Sequence, residues 1–220
     1  MRLRPIVFAL AFAAGSLGAN LSHAGLMLNF QNVLPAGANS GKITIHTQSS
    51  TSYTVSAGML SFKQKIEGAT TYLDDLLTSF CIEPKTSLRS GETLFVAGTL
   101  ADRFGLTQQS LISRLYDLHY ATATTLTDGA AAFQIALWEI VSDSETLKLN
   151  NGIFRTNGDF GNGKALAANW LVEMSDWYTD LGSNKPYTSS LYEFKTLTAG
   201  NSQDQLTVTR KEQQVPEPGV

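Results

Sequence analysis

Asp128-Gly129-Ala130-Ala131-Ala132-Phe133-Gln134-Ile135-Ala136-Leu137-Trp138-Glu139-Ile140-Val141 is the stretch around which the chain is organised. An alanine run is the best helix-forming composition available, and Asp128 is suited to cap its N-terminus. Phe133, Leu137, Ile140 and Val141 recur at i, i+4, i+7 and i+8, which predicts a buried helix. Gln134 and Trp138 stand one turn apart on a neighbouring face, where the indole can lie against the carboxamide and keep water away. Taken alone, the stretch reads as a core helix whose Gln satisfies a backbone group.

Working outward, Thr107 is placed to cap a preceding helix that shows Leu111, Ile112, Leu115, Leu118 and His119 on one side. After a Gly/Asn-rich loop from Asn150 to Gly163, interrupted by Ile153-Phe154, comes a long helix. Ala167, Trp170, Leu171, Met174, Trp177, Tyr178 and Leu181 mark its buried face, Glu173, Asp176 and Asp180 its wet side, and Gly182 its end. Residues 26–97 are mostly extended: Leu26 to Phe30, then Ile43 and Ile45 after a Gly37 to Gly41 turn, then Tyr53 to Lys65 with Gly58 as a bulge. Leu77 to Glu83 is a strand stopped by Pro84, and Thr93 to Ala97 another. Leu191 to Leu197 and Gln205 to Thr209 close the fold. The expected class is α+β: a β-sandwich-like body over 25–212 with an inserted helical subdomain of about three helices at about 105–182.

Met1-Arg2-Leu3-Arg4 is a basic start, Ile6 to Ala14 an apolar run and Ser22-His23-Ala24 a small-residue cleavage site, so residues 1–24 read as a signal peptide. Export gives the single cysteine, Cys81, an oxidising compartment with no intramolecular disulfide partner. Such a thiol is buried and inert, paired between molecules, or committed to other chemistry. A net charge of -3 and a pI near 5.6 exclude a nucleic-acid partner, whose phosphates call for a basic face. Three histidines, one of them in the leader, and one cysteine make no zinc cluster. The Asn157 to Gly163 glycines lack the strand-turn-helix grammar of a phosphate loop, so neither metal nor cofactor is expected. A cysteine hydrolase built from Cys81 with His119 or His46 is a third reading, without a local signature to support it. Gln203-Asp204-Gln205 reads as a turn before the last strand.

Val215-Pro216-Glu217-Pro218 resembles the start of the sorting signal of PEP-CTERM surface proteins. That resemblance implies a membrane helix and basic tail beyond Val220, processing by an exosortase-type enzyme, and a destination on the cell surface or in the extracellular matrix of a Gram-negative-type bacterium. The body carries a second resemblance. Phe80-Cys81-Ile82-Glu83, Arg114-Leu115-Tyr116, Ala131 to Ile140, Gly152-Ile153-Phe154, Ala165 to Leu171 and Gln203-Asp204-Gln205 together are similar to a PEP-CTERM subfamily with a thioester-type domain. Bacterial thioester domains of surface adhesins pair an aromatic-Cys-Ile-acid segment with a Gln segment usually written TQxAIW, which maps onto Cys81 and Gln134. Phe133 stands where that motif has Thr, removing a hydroxyl at the reacting carbonyl, and Leu137 stands where it has Ile.

The resemblance implies that the Cys81 thiolate attacks the Gln134 carboxamide, ammonia leaves, and an internal thioester remains. Phe80, Phe133 and Trp138 are the expected shield against water. The implied role is attachment rather than enzymatic turnover. Its partner is a surface macromolecule bearing lysine amines or hydroxyls, exopolysaccharide included, in adhesion or biofilm. The rival is a structural or binding protein of the polymer layer with an inert Cys81.

Overall fold

The computed structural model describes residues 25–181 and 186–212. The leader assigned to 1–24, the helix stop at Gly182 and the Val215-Pro216-Glu217-Pro218 motif lie outside the described residues. In chain order the elements are β1 (Leu26–His46), β2 (Ser50–Ile66), β3 (Leu77–Cys81), β4 (Glu92–Gly98), α1 (Leu106–Thr125), α2 (Thr127–Asp143), β5 (Phe154–Thr156), α3 (Gly163–Leu181), β6 (Tyr192–Thr198) and β7 (Gln205–Arg210). The class is α+β, with α1, α2, β5 and α3 inserted between β4 and β6.

All strand pairings are antiparallel, in the order β2-β3-β7-β6-β4-β1-β5, and β1 also pairs with β2. Two corner strands join the layers of the sandwich-like body. β3 gives Leu77 to Ser79 to β2 and Phe80 and Cys81 to β7, and β4 gives Glu92 to Phe95 to β1 and Val96 to Gly98 to β6. Cys81 therefore sits where its strand has just changed layers. Leu28, Leu60, Phe62, Phe95 and Leu197 fill a small core between the layers, while the larger core lies between the sheet and the helices.

The expected turn at Gly37 to Gly41 is instead part of β1. Pairing jumps from Leu34↔Met59 to Asn39↔Ala57, so four residues of β1 bulge opposite the one residue Gly58. Gly37 takes up the bulge at φ +103, a region glycine enters without a Cβ clash. The irregularity expected at Gly58 thus lies on the facing strand. A Cβ at Gly58 would come within 2.5 Å of Val33 Cγ1, so its glycine serves close approach. Beyond the bulge the hairpin runs on to His46, and Ile43 to Ile45 pair with β5.

α2 is the hub. Every residue from Gly129 to Ile140 is buried, and the helix touches α1, α3, β1, β2, β3 and β5. An alanine-rich helix suits that position because its small side chains let neighbours approach from all sides. Two expected caps are corrected. α1 begins at Leu106 behind Gly105, whose N–H donates to Gln108 Oε1 at 3.2 Å, and Thr107 Oγ1 pairs with Tyr178 Oη at 2.9 Å instead. α2 begins behind Leu126; Asp128 lies inside its first turn and accepts from Asn39 Nδ2 at 2.7 Å and Asn162 Nδ2 at 2.9 Å. Those two amides hold the Asp128 carboxyl below its usual range. They also fix the start of α2 to the β1 bulge and to the loop before α3.

Candidate functional site

The end of β3 and the middle of α2 meet at Cys81 and Gln134, 53 positions apart in sequence. Gln134 Oε1 accepts from the Cys81 backbone N–H at 2.9 Å, and Gln134 Nε2 donates to the Cys81 carbonyl at 2.8 Å. Cys81 is 2% and Gln134 1% exposed. The carboxamide thus docks on the backbone of the residue whose sulfur it is expected to meet, in buried surroundings where both bonds are strong. Phe133 leaves the Gln134 carbonyl without a neighbouring threonine hydroxyl, and the Cys81 N–H supplies it with a donor.

Cys81 Sγ accepts from the Glu83 N–H at 3.3 Å. Burial pushes the thiol up to about 12. The Trp138 indole and the Glu83 N–H favour the thiolate, and the charges of Glu83 and Asp204 oppose it. The indole falls short of a full hydrogen bond, since Trp138 Nε1 has no partner among the described residues. At pH 7 the thiol is therefore almost wholly protonated. An attack of Sγ on Gln134 Cδ would form the S–C bond, place negative charge on Oε1 facing the Cys81 N–H, and expel Nε2 as ammonia carrying the thiol proton. Two groups carried by residues docked in this way would need to react only once per molecule, and proximity would offset a scarce thiolate.

Gln203-Asp204-Gln205, expected as a plain turn, is the clamp on this site. Gln205 pairs with Cys81 across the β3–β7 ladder and is fully buried, its Oε1 accepting from Ser79 Oγ at 2.9 Å and its Nε2 donating to the Gln203 carbonyl at 3.1 Å. The Asp204 carbonyl accepts from the Ile82 N–H at 3.0 Å, and the Asp204 N–H donates to Glu83 Oε2 at 3.3 Å. The Asp204 carboxylate accepts from the Ala199 N–H at 2.9 Å and pairs with Arg103. Ser79, Arg103, Asp204 and Gln205 therefore fix Cys81 from the side opposite α2. Three polar residues running into the alternating Leu206 and Val208 were the available signal.

The three aromatic residues expected as a shield separate into two groups. Phe80 and Phe133 pack against one another at 4.5 Å between centroids, and with Tyr116 and Tyr120 they build an interior aromatic wall. Trp138, 3% exposed, instead lines a groove of about 420 Å³ between the β1–β2 hairpin and the loop that follows Cys81. Neither this groove nor a second cleft, of about 440 Å³ and lined by Leu100, Ser110, Tyr187 and Phe194, has Cys81 or Gln134 in its lining; Trp138 is what ties the first to the site.

Both histidines of the body are engaged elsewhere. His46 is half-buried at the hairpin tip, where its Nδ1 pairs with Ser50 Oγ at 2.8 Å. His119 stacks on Trp170 with centroids 4.1 Å apart and has Glu173 Oε2 at 3.5 Å; burial lowers its pKa, with the Glu173 charge opposing. Neither is among the groups that bear on the Cys81 thiol. Among the described residues no group of three or more His, Cys, Asp and Glu could hold a metal, and no helix is long and apolar enough to cross a membrane.

No protein-family model matches the chain, and no curated protein matches it. Among solved structures, the chain is similar to the thioester domain of the Staphylococcus aureus TIE protein, with a TM-score of 0.49 and 11% identity over 83% of this chain and 92% of that one. It is also similar to the N-terminal domain of the Streptococcus pyogenes pilus tip adhesin Cpa, with a TM-score of 0.42 and 12% identity over 83% of this chain and 98% of that one.

Proposed function

We propose that the chain is an exported surface protein in which Cys81 and Gln134 join as an internal thioester, an acyl group that couples the protein covalently to an amine or hydroxyl of another macromolecule. The observation that carries this reading is the docking of the Gln134 carboxamide on the backbone of Cys81, which brings the carbonyl and an N–H donor for its oxygen to the residue that bears the thiol, in a buried site. In the coupling step the acceptor's N–H or O–H attacks Gln134 Cδ, the C–S bond breaks, and the proton goes to Cys81, restoring the thiol. Trp138 is the shield on the side of the groove; Phe80 and Phe133 act from within, by holding β3 against α2. Export, exosortase-type processing, adhesion and a place in a biofilm or exopolysaccharide layer are carried by the two ends of the sequence and by its resemblance to PEP-CTERM surface proteins.

One observation favours the structural rival. A thiol pushed up to about 12, beside a Gln whose oxygen and nitrogen both already hold backbone partners, is also what an inert core cysteine looks like. Methylamine treatment separates the two. The thioester predicts an adduct mapped to Gln134 together with one newly titratable thiol, both lost in Cys81→Ala. An inert pair gives no adduct in the wild type.

A further inference from the structure

Resting on the thioester reading, we infer that the groove over Trp138 is the acceptor site, and that the acceptor it selects is the hydroxyl of a neutral saccharide rather than a lysine amine. Trp138 links the groove to the chemistry: it lies one turn from Gln134 and is also part of the lining, so an acceptor seated there reaches the acyl carbon once that indole moves aside. Its lining combines the aromatic and apolar Phe30, Tyr53, Pro84 and Leu88 with the polar Thr86 and Gln203. This is the pairing a sugar ring presents in return, with C–H faces for the rings and hydroxyls for the polar groups. The volume of about 420 Å³ lies within the range of roughly 300–1,000 Å³ found for small-ligand sites.

Charge decides between the two acceptor classes. Lys85 is the one charged residue in the lining; it is exposed, it makes no ion pair among the described residues, and no carboxylate lines the groove to offset it. An incoming lysine ammonium would meet a like charge at the rim of the groove, whereas a neutral sugar meets no such opposition. The acids that bear on the sulfur do not line the groove. Asp204 is buried against Arg103 and the Ala199 N–H, and Glu83 accepts from the Asp204 N–H. In the coupling step the saccharide O–H attacks Gln134 Cδ, an ester C–O bond forms, the C–S bond breaks, and the hydroxyl proton passes to the Cys81 sulfur.

The test uses the full purified chain, first shown by intact mass to lack one ammonia; full mass at that stage refutes the thioester reading, not the choice of acceptor. Maltotriose, cellotriose and the trimer of N-acetylglucosamine are compared with Nα-acetyl-lysine methylamide over a concentration series, scoring adducts by mass. Hydroxylamine, neutral at the pH used, checks that thioester reactivity is equal in every variant. The expected result is that at least one saccharide forms an adduct with a rate that saturates, while the lysine probe reacts slowly and without saturation. Lys85→Glu should speed the lysine probe about threefold, with no change toward hydroxylamine. Tyr53→Ala should slow the saccharide alone. Saturable reaction with the lysine probe, no adduct with any saccharide, or a lysine rate unchanged in Lys85→Glu would each overturn the assignment.

Discussion

Replacing Cys81 by alanine separates a covalent staple from an ordinary core cysteine through stability alone. Both hydrogen bonds of the Gln134 side chain run to the Cys81 backbone, so Cys81→Ala leaves them in place. What the substitution removes from an unreacted site is one buried sulfur and its 3.3 Å contact with the Glu83 N–H, a loss of about 1 kcal/mol. A thioester adds the closure of a 53-residue loop, which in the chain-entropy treatment of disulfides stabilises the fold by about 4 kcal/mol. The stapled protein should therefore lose about 5 kcal/mol, a fall in Tm of about 10–20 °C for a chain of this size, against about 2–4 °C for the unstapled one. Scanning calorimetry of wild type, Cys81→Ala and methylamine-opened wild type gives the answer. The opened protein should melt close to the alanine variant. A wild type that lacks ammonia yet melts within about 4 °C of Cys81→Ala would refute the staple reasoning, whatever the fate of the thioester itself.

Trp138→Ala should cost about 3–5 kcal/mol as a cavity beneath the groove and shorten the lifetime of the thioester in water, followed by the appearance of free thiol; an unchanged lifetime would assign the cover to other residues. Gln205→Leu should cost about 1–3 kcal/mol by leaving the buried Ser79 hydroxyl without its acceptor, and should slow thioester formation because Cys81 loses its clamp; urea melts and the time course of ammonia loss after refolding measure both. Glu139 is fully buried on α2, with neither carboxylate oxygen hydrogen-bonded among the described residues. Burial first and the Asp143 charge second push it up to about 8, with the Lys148 backbone N–H opposing. A carboxyl raised above its unfolded value of 4.5 stabilises the fold fully below that pH and loses its contribution as pH rises through about 8. Glu139→Gln should accordingly remove up to about 5 kcal/mol of the decline between pH 4.5 and 8, seen as a flatter curve of Tm against pH; parallel curves for the two proteins would contradict the burial argument.

The sequence made some features plain because composition alone determines them. α2 is legible in its alanines and in the period of Phe133, Leu137 and Ile140, and α3 in its aromatic face and in Glu173, Asp176 and Asp180, which stay exposed. β1 was harder, because Pro35 to Gly41 has the residues of a turn and only pairing with Met59 and Ala57 shows that the strand continues through it. The three residues of β5 carry no period of their own and exist only because β1 offers an edge at Ile43 to Ile45. The meeting of Cys81 with Gln134 could be expected only by resemblance, since nothing local links positions so distant. The clamp of Gln205 on Ser79 was hidden for the same reason: a buried amide is chosen by a partner 126 positions away, and that partner is set by the strand order. Asp128 and Thr107 look like caps because short polar side chains favour helix starts, but each found a tertiary partner instead.

Intact mass of the purified wild-type chain, set beside Cys81→Ala and Gln134→Ala, tests the central claim most directly. The account predicts a wild type lighter than its sequence mass by one ammonia, with Cys81 unreactive toward thiol reagents, and both variants at full mass. A wild type at full sequence mass, with one thiol that alkylates on unfolding, would contradict it.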